Sequence, residues 1–249
     1  MQIQLIRNAT MRFNYAQHVF ITDPYLAAKF TRPSYTGKSP NPLVDLPCPA
    51  EKVIAGAEMA IISHLHSDHF DPAGKALLPK DLPLICQTGD RDSLSESGFK
   101  HLIPVEEAIE WQGISIRRVP GQHGSGAVLG EMGQASGFVL QAKNEPTVYW
   151  AGDTIFYDGV RQAIDEAQPD LILTHSCGAV WANGVLILMD AAQTIAVCHA
   201  APKSVVVAIH MEALDHATVT RVELRDFARQ AGISDDRLLI PRDGEKISF

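Results

Sequence analysis

The sequence predicts a layered α/β protein, and three observations carry that expectation. Four short apolar runs end in a ligand-type side chain. Met59 to Ser63 runs into His64, Thr147 to Gly152 into Asp153, Leu171 to Thr174 into His175, and Val205 to Ile209 into His210. Segments with helical spacing or capping signals fall between such runs. In layered α/β folds, sites gather beyond the carboxyl ends of the strands, which is the pattern these four runs show.

Taken in order, Gln2 to Arg7 and His18 to Asp23 read as two strands of a hairpin joined across Asn8 to Gln17. Residues 24–50 then hold Pro24, Pro33, Pro40, Pro42, Pro47 and Pro49. Proline removes a backbone donor and fixes φ, so no regular element survives that density. The segment is expected to wrap the surface in an extended path, as a lid or an oligomer contact. Its Lys29, Arg32 and Lys38 read as solvated cations ahead of partners for an anionic substrate. Asp71-Pro72 is a start signal for a helix over Ala73 to Leu78. Arg91 to Ser97 reads as a helix stopped by Gly98. Gly121, Gly124, Gly126, Gly130, Gly133 and Gly137 mark a tight loop that brings backbone close to the site. They match neither a P-loop nor a dinucleotide fingerprint.

Val160, Ile164 and Ala167 recur at helical spacing before Pro169, and Asp190 is placed to cap Ala191 to Ala200. Thr220-Arg221-Val222-Glu223 matches a capping box, followed by a core stripe of Leu224, Phe227, Ala228 and Ala231. No repeat or low-complexity tail interrupts this order, so residues 1–249 read as one domain.

Composition narrows the function. The chain is 46% hydrophobic and 20% charged, as an ordinary globular protein is. A formal net charge of -8 disfavours a broad nucleic-acid footprint. The apolar runs are too short to span a bilayer, and the first residues lack a signal-peptide pattern. Cys48, Cys86, Cys177 and Cys198 are widely spaced and form no C-x-x-C pair. A cytoplasmic protein with reduced thiols is therefore expected. Cys86 and Cys198 read as core residues, and Cys177 lies near the expected site.

The chemistry concentrates in His64-Leu65-His66-Ser67-Asp68-His69. Neutral imidazole and carboxylate are ligands for zinc and other divalent ions. Positions i and i+2 of extended chain point the same way, so His64 and His66 can share one ion. Asp68 and His69 follow and can face a second. Beyond this cluster stand His123, Asp153 and His210. His175 also ends a strand, with substrate contact, acid/base work and direct ligation all open. His216 is open between substrate contact and a role behind the ligands. Trp181 is open between pocket lining and packing. His18, His101 and His199 read as surface or packing residues.

The order H-x-H-x-D-H, lone His, Gly-Asp-Thr and strand-ending His resembles the metallo-β-lactamase-fold hydrolase superfamily. Ile6-Arg7-Asn8-Ala9-Thr10, Thr22-Asp23-Pro24 and His64 to Pro72 are similar to its branch of L-ascorbate-6-phosphate lactonase. The resemblance spans nearly the whole chain. It implies a four-layer αβ/βα sandwich of two mixed sheets flanked by helices. It further implies two divalent ions, zinc first, with manganese or iron as alternatives. His64, His66 and His123 would hold the first, Asp68, His69 and His210 the second, and Asp153 both. Asp23 would orient ligands, against the plainer reading of a turn residue before Pro24.

Two ions with two carboxylates leave net positive charge, which favours hydroxide between them and a water pKa near 7. Asp68 and His175 are the expected catalytic side chains, Asp68 as proton acceptor. The expected reaction is hydrolysis of a small ester, lactone or phosphodiester, with a small-molecule substrate and no membrane partner. An iron-dependent oxidoreductase and a phosphodiesterase or nuclease acting on nucleic acid are the alternatives. A homo-oligomer is left open.

Overall fold

Strand alternation decides the layering. In the strand Met59–Ile62, Met59 and Ile61 pack into one apolar cluster while Ala60 and Ile62 pack into another on the opposite face. Such a strand is buried on both sides and must lie inside a sandwich. A computed structural model describes all 249 residues and shows two seven-stranded sheets.

The first sheet has the order β16 (Lys246–Ser248), β1 (Gln2–Arg7), β2 (Thr10–Tyr15), β3 (His18–Thr22), β4 (Met59–Ile62), β5 (Leu84–Gln87) and β6 (Leu102–Val105). The second has the order β15 (Leu238–Leu239), β14 (Val205–Ile209), β11 (Leu171–His175), β10 (Val148–Trp150), β9 (Ser136–Ala142), β8 (Ile114–Pro120) and β7 (Ala108–Trp111). Both sheets are mixed. β3 to β6 pair in parallel, as do β10, β11, β14 and β15, and the remaining neighbours are antiparallel.

The core between the sheets takes Phe13, Phe20, Met59 and Ile61 from one side and Phe138, Trp150, Leu171 and Leu173 from the other. Phe13 and Phe20 stack with ring centroids 4.8 Å apart. On the outside of the first sheet lie α2 (Pro72–Leu77) and α3 (Arg91–Glu96), which cover Ala60, Ile62, Leu84 and Cys86. On the outside of the second lie α5 (Asp158–Ala167), α6 (Ala191–Ala200) and α7 (Arg221–Gln230), over Ile172, Val206 and Ala208. This is the expected four-layer α/β sandwich. α1 (Ala50–Ile54) joins α2 on the outer face of the first sheet through Val53 beside Ile6, while α4 (Ala127–Met132) packs against the hairpin of β12 (Val180–Trp181) and β13 (Val185–Leu186).

The predicted caps are made. The Asp71 carboxylate accepts from Ala73 N and Gly74 N, and the Asp190 carboxylate from Gln193 N. Thr220 and Glu223 form both bonds of the capping box.

Three expectations change. The predicted hairpin is a three-strand meander, because β2 sits between the two expected strands. Asn8, with φ 58°, makes the first reversal, and Ala16 and Gln17, with φ 52° and 70°, make the second. The glycine-rich stretch is not loop throughout, since it contains α4, bounded by Gly126 and Gly133 at positive φ. The stripe on α7 is narrower than predicted: Leu224 and Ala228 are buried, while Phe227 and Ala231 face solvent. A helix on the outside of a sandwich buries only the turns that meet the sheet.

The proline-rich segment 24–50 holds no strand or helix before α1, apart from one bridge between Arg32 and Asn41. It is nonetheless tied down. The Arg7 guanidinium, buried beneath it, donates to the carbonyls of Tyr25, Ala27 and Val44.

Candidate metal centre

The carboxyl ends of β4, β10 and β14 deliver the ligand-type side chains to one place. β4 passes through Ser63 into His64. The backbone N–H and the hydroxyl of Ser63 both donate to the Asp23 carboxylate, at 2.7 and 2.6 Å. Having given its proton to Asp23, Ser63 Oγ accepts from His64 Nδ1 at 3.0 Å. His69 Nδ1 donates to Asp23 Oδ2 at 2.6 Å, and His123 Nδ1 donates to the Ile187 carbonyl at 2.9 Å. An imidazole that donates through Nδ1 keeps its Nε2 lone pair for a metal. Asp23 thus sets the rings of both His64 and His69. It also occupies a turn, at φ 36°, so both sequence readings of it describe the molecule.

The free ends of these rings converge on Asp153. Its Oδ2 lies 3.2 Å from His69 Nε2, 3.3 Å from His123 Nε2 and 3.7 Å from His64 Nε2. Asp68 Oδ2 lies 3.6 Å from His69 Nε2 and 3.4 Å from His210 Nε2. His66 joins His64, His123 and Asp153 in a group whose ligand atoms all lie within 4.8 Å of one another. The structure therefore brings all seven predicted side chains together.

They also fit divalent metal. With zinc bonds of about 2.0–2.1 Å, tetrahedral geometry separates ligand atoms by roughly 3.3 Å, close to the distances found here. His64 Nε2 is buried and has no hydrogen-bond partner in the protein. A buried nitrogen left without a partner is costly unless a ligand uses it.

The electrostatics agree. Burial pushes the His64 and His66 imidazoles below their usual pKa, which keeps them neutral as ligands must be. Burial works to raise the Asp153 carboxyl, but the facing His69 and His123 and the hydrogen bond from His175 hold it well below the usual range. Burial likewise works to lower His69, and the Asp153, Asp23 and Asp68 carboxylates overcome it and hold it well above its usual value.

His175 lies on the core side of Asp153, and one of its ring nitrogens is also within 4.8 Å of the ligand atoms of His69, Asp153 and His210. Leu171 and Leu173 of β11 point between the sheets, and alternation sends His175 the same way. There its Nε2 accepts from Trp150 Nε1 at 2.9 Å, and its Nδ1 donates to Asp153 Oδ1 at 2.5 Å. Both ring nitrogens are engaged, the side chain is fully buried, and it does not line the cavity above the site. His175 props Asp153 from behind. His210 is held differently, with Nδ1 3.5 Å from Cys177 Sγ and Nε2 3.1 Å from Asn8 Nδ2.

Above the cluster opens a cavity of about 250 Å³. Its floor is His66, Ser67, Asp68, His123 and Asp153. Three segments build its walls: Tyr35 comes from the proline-rich segment, Glu131 and Met132 from α4, and Trp181 and Ile187 from the hairpin region. His216 completes the wall. Trp181 Nε1 donates to Glu131 Oε2 at 3.1 Å, and Tyr35 meets His216 edge to face at 4.8 Å. Tyr35, Met132 and Glu131 were not singled out in the sequence. A single Tyr in a proline-rich stretch carries no periodic signal that would mark it.

Fold and centre together define a metal-dependent hydrolase of the metallo-β-lactamase type, and the chain belongs to the beta-lactamase superfamily domain family, whose profile matches residues 19–211. It is 34% identical to the UPF0173 protein YddR of Bacillus subtilis over the whole of both chains. Among solved structures it is similar to an isothiocyanate hydrolase from Delia radicum gut bacteria, at TM-score 0.93 and 33% identity, covering 100% of this chain and 99% of that one. A possible metal-dependent hydrolase from Veillonella parvula gives TM-score 0.96 at 30% identity, with the same coverage. No helix is long and apolar enough to cross a membrane.

Proposed function

We propose that the protein hydrolyses a small, uncharged, partly apolar substrate at an electrophilic carbon, of the isothiocyanate, ester or lactone kind. The observation that carries this reading is the cavity wall. Tyr35, Met132, Trp181 and Ile187 offer apolar and aromatic surface directly above the His/Asp floor, and no Lys or Arg lines the cavity. The one charged wall residue outside the floor is the acidic Glu131. A phosphodiester or a phosphorylated sugar lactone would find no cationic side chain there, whereas a neutral aryl or alkyl group finds contact area. The likeness to the isothiocyanate hydrolase supports the same substrate class.

His64, His66, His123 and Asp153 would hold one divalent ion, and Asp153, Asp68, His69 and His210 the other. Bound there, the ions would supply Lewis-acid polarisation and a water acidic enough to ionise near neutral pH. The protein's own groups do the rest. Asp68 lines the cavity and is held ionised against its burial by the facing His69 and His210, and a proton taken from water would go to its Oδ1 in exchange for the hydrogen bond from Tyr35, since Oδ2 faces the ligand imidazoles. His216 presents an imidazole to the substrate, kept neutral by burial. Tyr35 and Trp181 hold the apolar body. His175 keeps Asp153 oriented and touches no substrate. Hydrolysis then adds the oxygen of water to the carbon and breaks the bond from that carbon to the departing heteroatom, an ester or lactone oxygen taking one proton of the water and an isothiocyanate nitrogen, released as an amine beside carbonyl sulfide, taking both.

The test is a comparison of benzyl isothiocyanate, p-nitrophenyl acetate and bis(p-nitrophenyl) phosphate on zinc-loaded and chelated protein. Turnover of a neutral carbon electrophile, lost on chelation, is expected. Preference for the phosphodiester, or turnover that survives full metal removal, contradicts the proposal.

A further inference from the structure

We infer that Tyr35 is a positioning residue for Asp68, and that Asp215 fixes it there through the proline-rich segment, so that this surface strap sets the affinity of one half of the metal centre. The inference rests on the two-ion reading above. Asp68 has two carboxylate oxygens with separate tasks. Oδ2 faces His69 Nε2 and His210 Nε2. Oδ1 accepts from the Tyr35 phenol at 3.2 Å, while the same phenol lies 2.8 Å from Ser67 Oγ. A phenol has one proton. Given to the acceptor-only carboxylate, it leaves the phenol oxygen to accept from Ser67. The carboxylate plane is thereby fixed, with one oxygen left for the ion.

Tyr35 lies in an irregular segment with no sheet or helix to hold it. What holds it is one carboxylate. Asp215 accepts from Ser34 Oγ at 2.5 Å, Tyr35 N at 3.0 Å, Thr36 N at 3.1 Å, Thr36 Oγ1 at 2.6 Å and Asn41 Nδ2 at 3.0 Å. Asn41 Oδ1 accepts in return from Asp215 N at 2.9 Å. Five donors on one side chain, contributed by four residues of the strap, bracket Tyr35 on both sides. Such a partner behind a ligand affects metal affinity about 10–100-fold when removed. Of the seven ligand-type side chains Tyr35 hydrogen-bonds Asp68, so its effect falls on one ion and spares the group of His64, His66 and His123.

The experiment titrates metal-depleted full-length protein with zinc alone, by calorimetry with a competing chelator. Wild type is compared with Tyr35→Phe, Asp215→Asn and the double variant, and circular dichroism and Tm check folding. Wild type takes up two ions. Tyr35→Phe, which keeps the ring and loses the proton, binds one ion as wild type does and the other about tenfold or more weakly. The double variant binds no more weakly than Tyr35→Phe, since Asp215 acts through Tyr35. Unchanged affinities in Tyr35→Phe, or equal weakening at both sites, overturn the inference while the two-ion reading stands. Additive losses in the double variant overturn the role of Asp215. Fewer than two ions in wild type sinks the two-ion reading as well. Should Asp215→Asn not fold, Tyr35→Phe decides the central claim by itself.

Discussion

The floor of the site and its walls are built in different ways. On the floor, the Nδ1 atoms of His64, His69 and His123 are each engaged by a hydroxyl, a carboxylate or a backbone carbonyl, and these rings lie buried at strand ends. The walls come from a proline-rich strap, a six-residue helix between glycines and a two-residue-per-strand hairpin. The hairpin and α4 are joined by the bond from Trp181 to Glu131, while the strap is pinned to Asp215 and reaches the floor through Tyr35. Rigid buried scaffolding suits chemistry, which needs fixed ligand geometry. Walls carried on loops and short elements suit substrate choice, where side chains change without disturbing the sandwich; Tyr35 is the exception, since its phenol reaches the ligand-type Asp68.

If that division holds, the largest effects come from the floor. Asp153 belongs to both ligand groups, so Asp153→Ala should weaken zinc uptake by more than ~100-fold, beyond the loss expected from a partner behind a ligand. Calorimetric titration checks this, and hydrolysis should vanish with it. His175→Ala should weaken zinc uptake about 10–100-fold and lower turnover in proportion. Adding excess zinc should restore most of that turnover, which a residue acting directly on substrate would not permit.

A wall change should behave otherwise. Trp181→Ala should leave zinc content and Tm as they are and raise KM about 10–200-fold, the equivalent of the ~1–3 kcal/mol that one apolar contact group contributes. Trp181 bonds to Glu131 and not, as Tyr35 does, to a ligand-type side chain, so a fall in zinc affinity in that variant would break the division. Acid offers a further probe of the floor. His69 is held well above its usual pKa in the metal-free protein by Asp153, Asp23 and Asp68, so zinc must displace a proton there. Zinc uptake should release protons and weaken as pH falls, and calorimetry in buffers of different ionisation heat measures both. The smallest effect is expected outside both regions. Thr220→Ala removes the cap of α7 and should lower Tm by ~2–4 °C without altering zinc uptake or KM.

The same division explains what could be read from the sequence. His64 to His69 is legible because its residue types are dense and follow an apolar run. Asp153 and His210 are legible because they end strands that the hydrophobic pattern marks. The caps at Asp71, Asp190 and Thr220 are local chemistry, and local chemistry survives in a string of letters. β2 escaped notice because Thr10-Met11-Arg12-Phe13-Asn14-Tyr15 alternates polar and apolar residues inside what looked like a long connection. The strand position of His175 is legible, but its burial and its bond to Asp153 are not, since the facing sheet that buries it is not visible locally. Tyr35 was out of reach, because its meaning comes from Asp215, 180 residues away.

Everything in this account turns on whether two ions sit on the seven converging side chains. A crystal structure of the zinc-loaded protein, with anomalous difference maps at the zinc edge, tests it most directly. The account predicts two peaks, one among His64, His66, His123 and Asp153 and one among Asp68, His69, Asp153 and His210. A single peak ligated by His175, or no peak at this corner under saturating zinc, would contradict it.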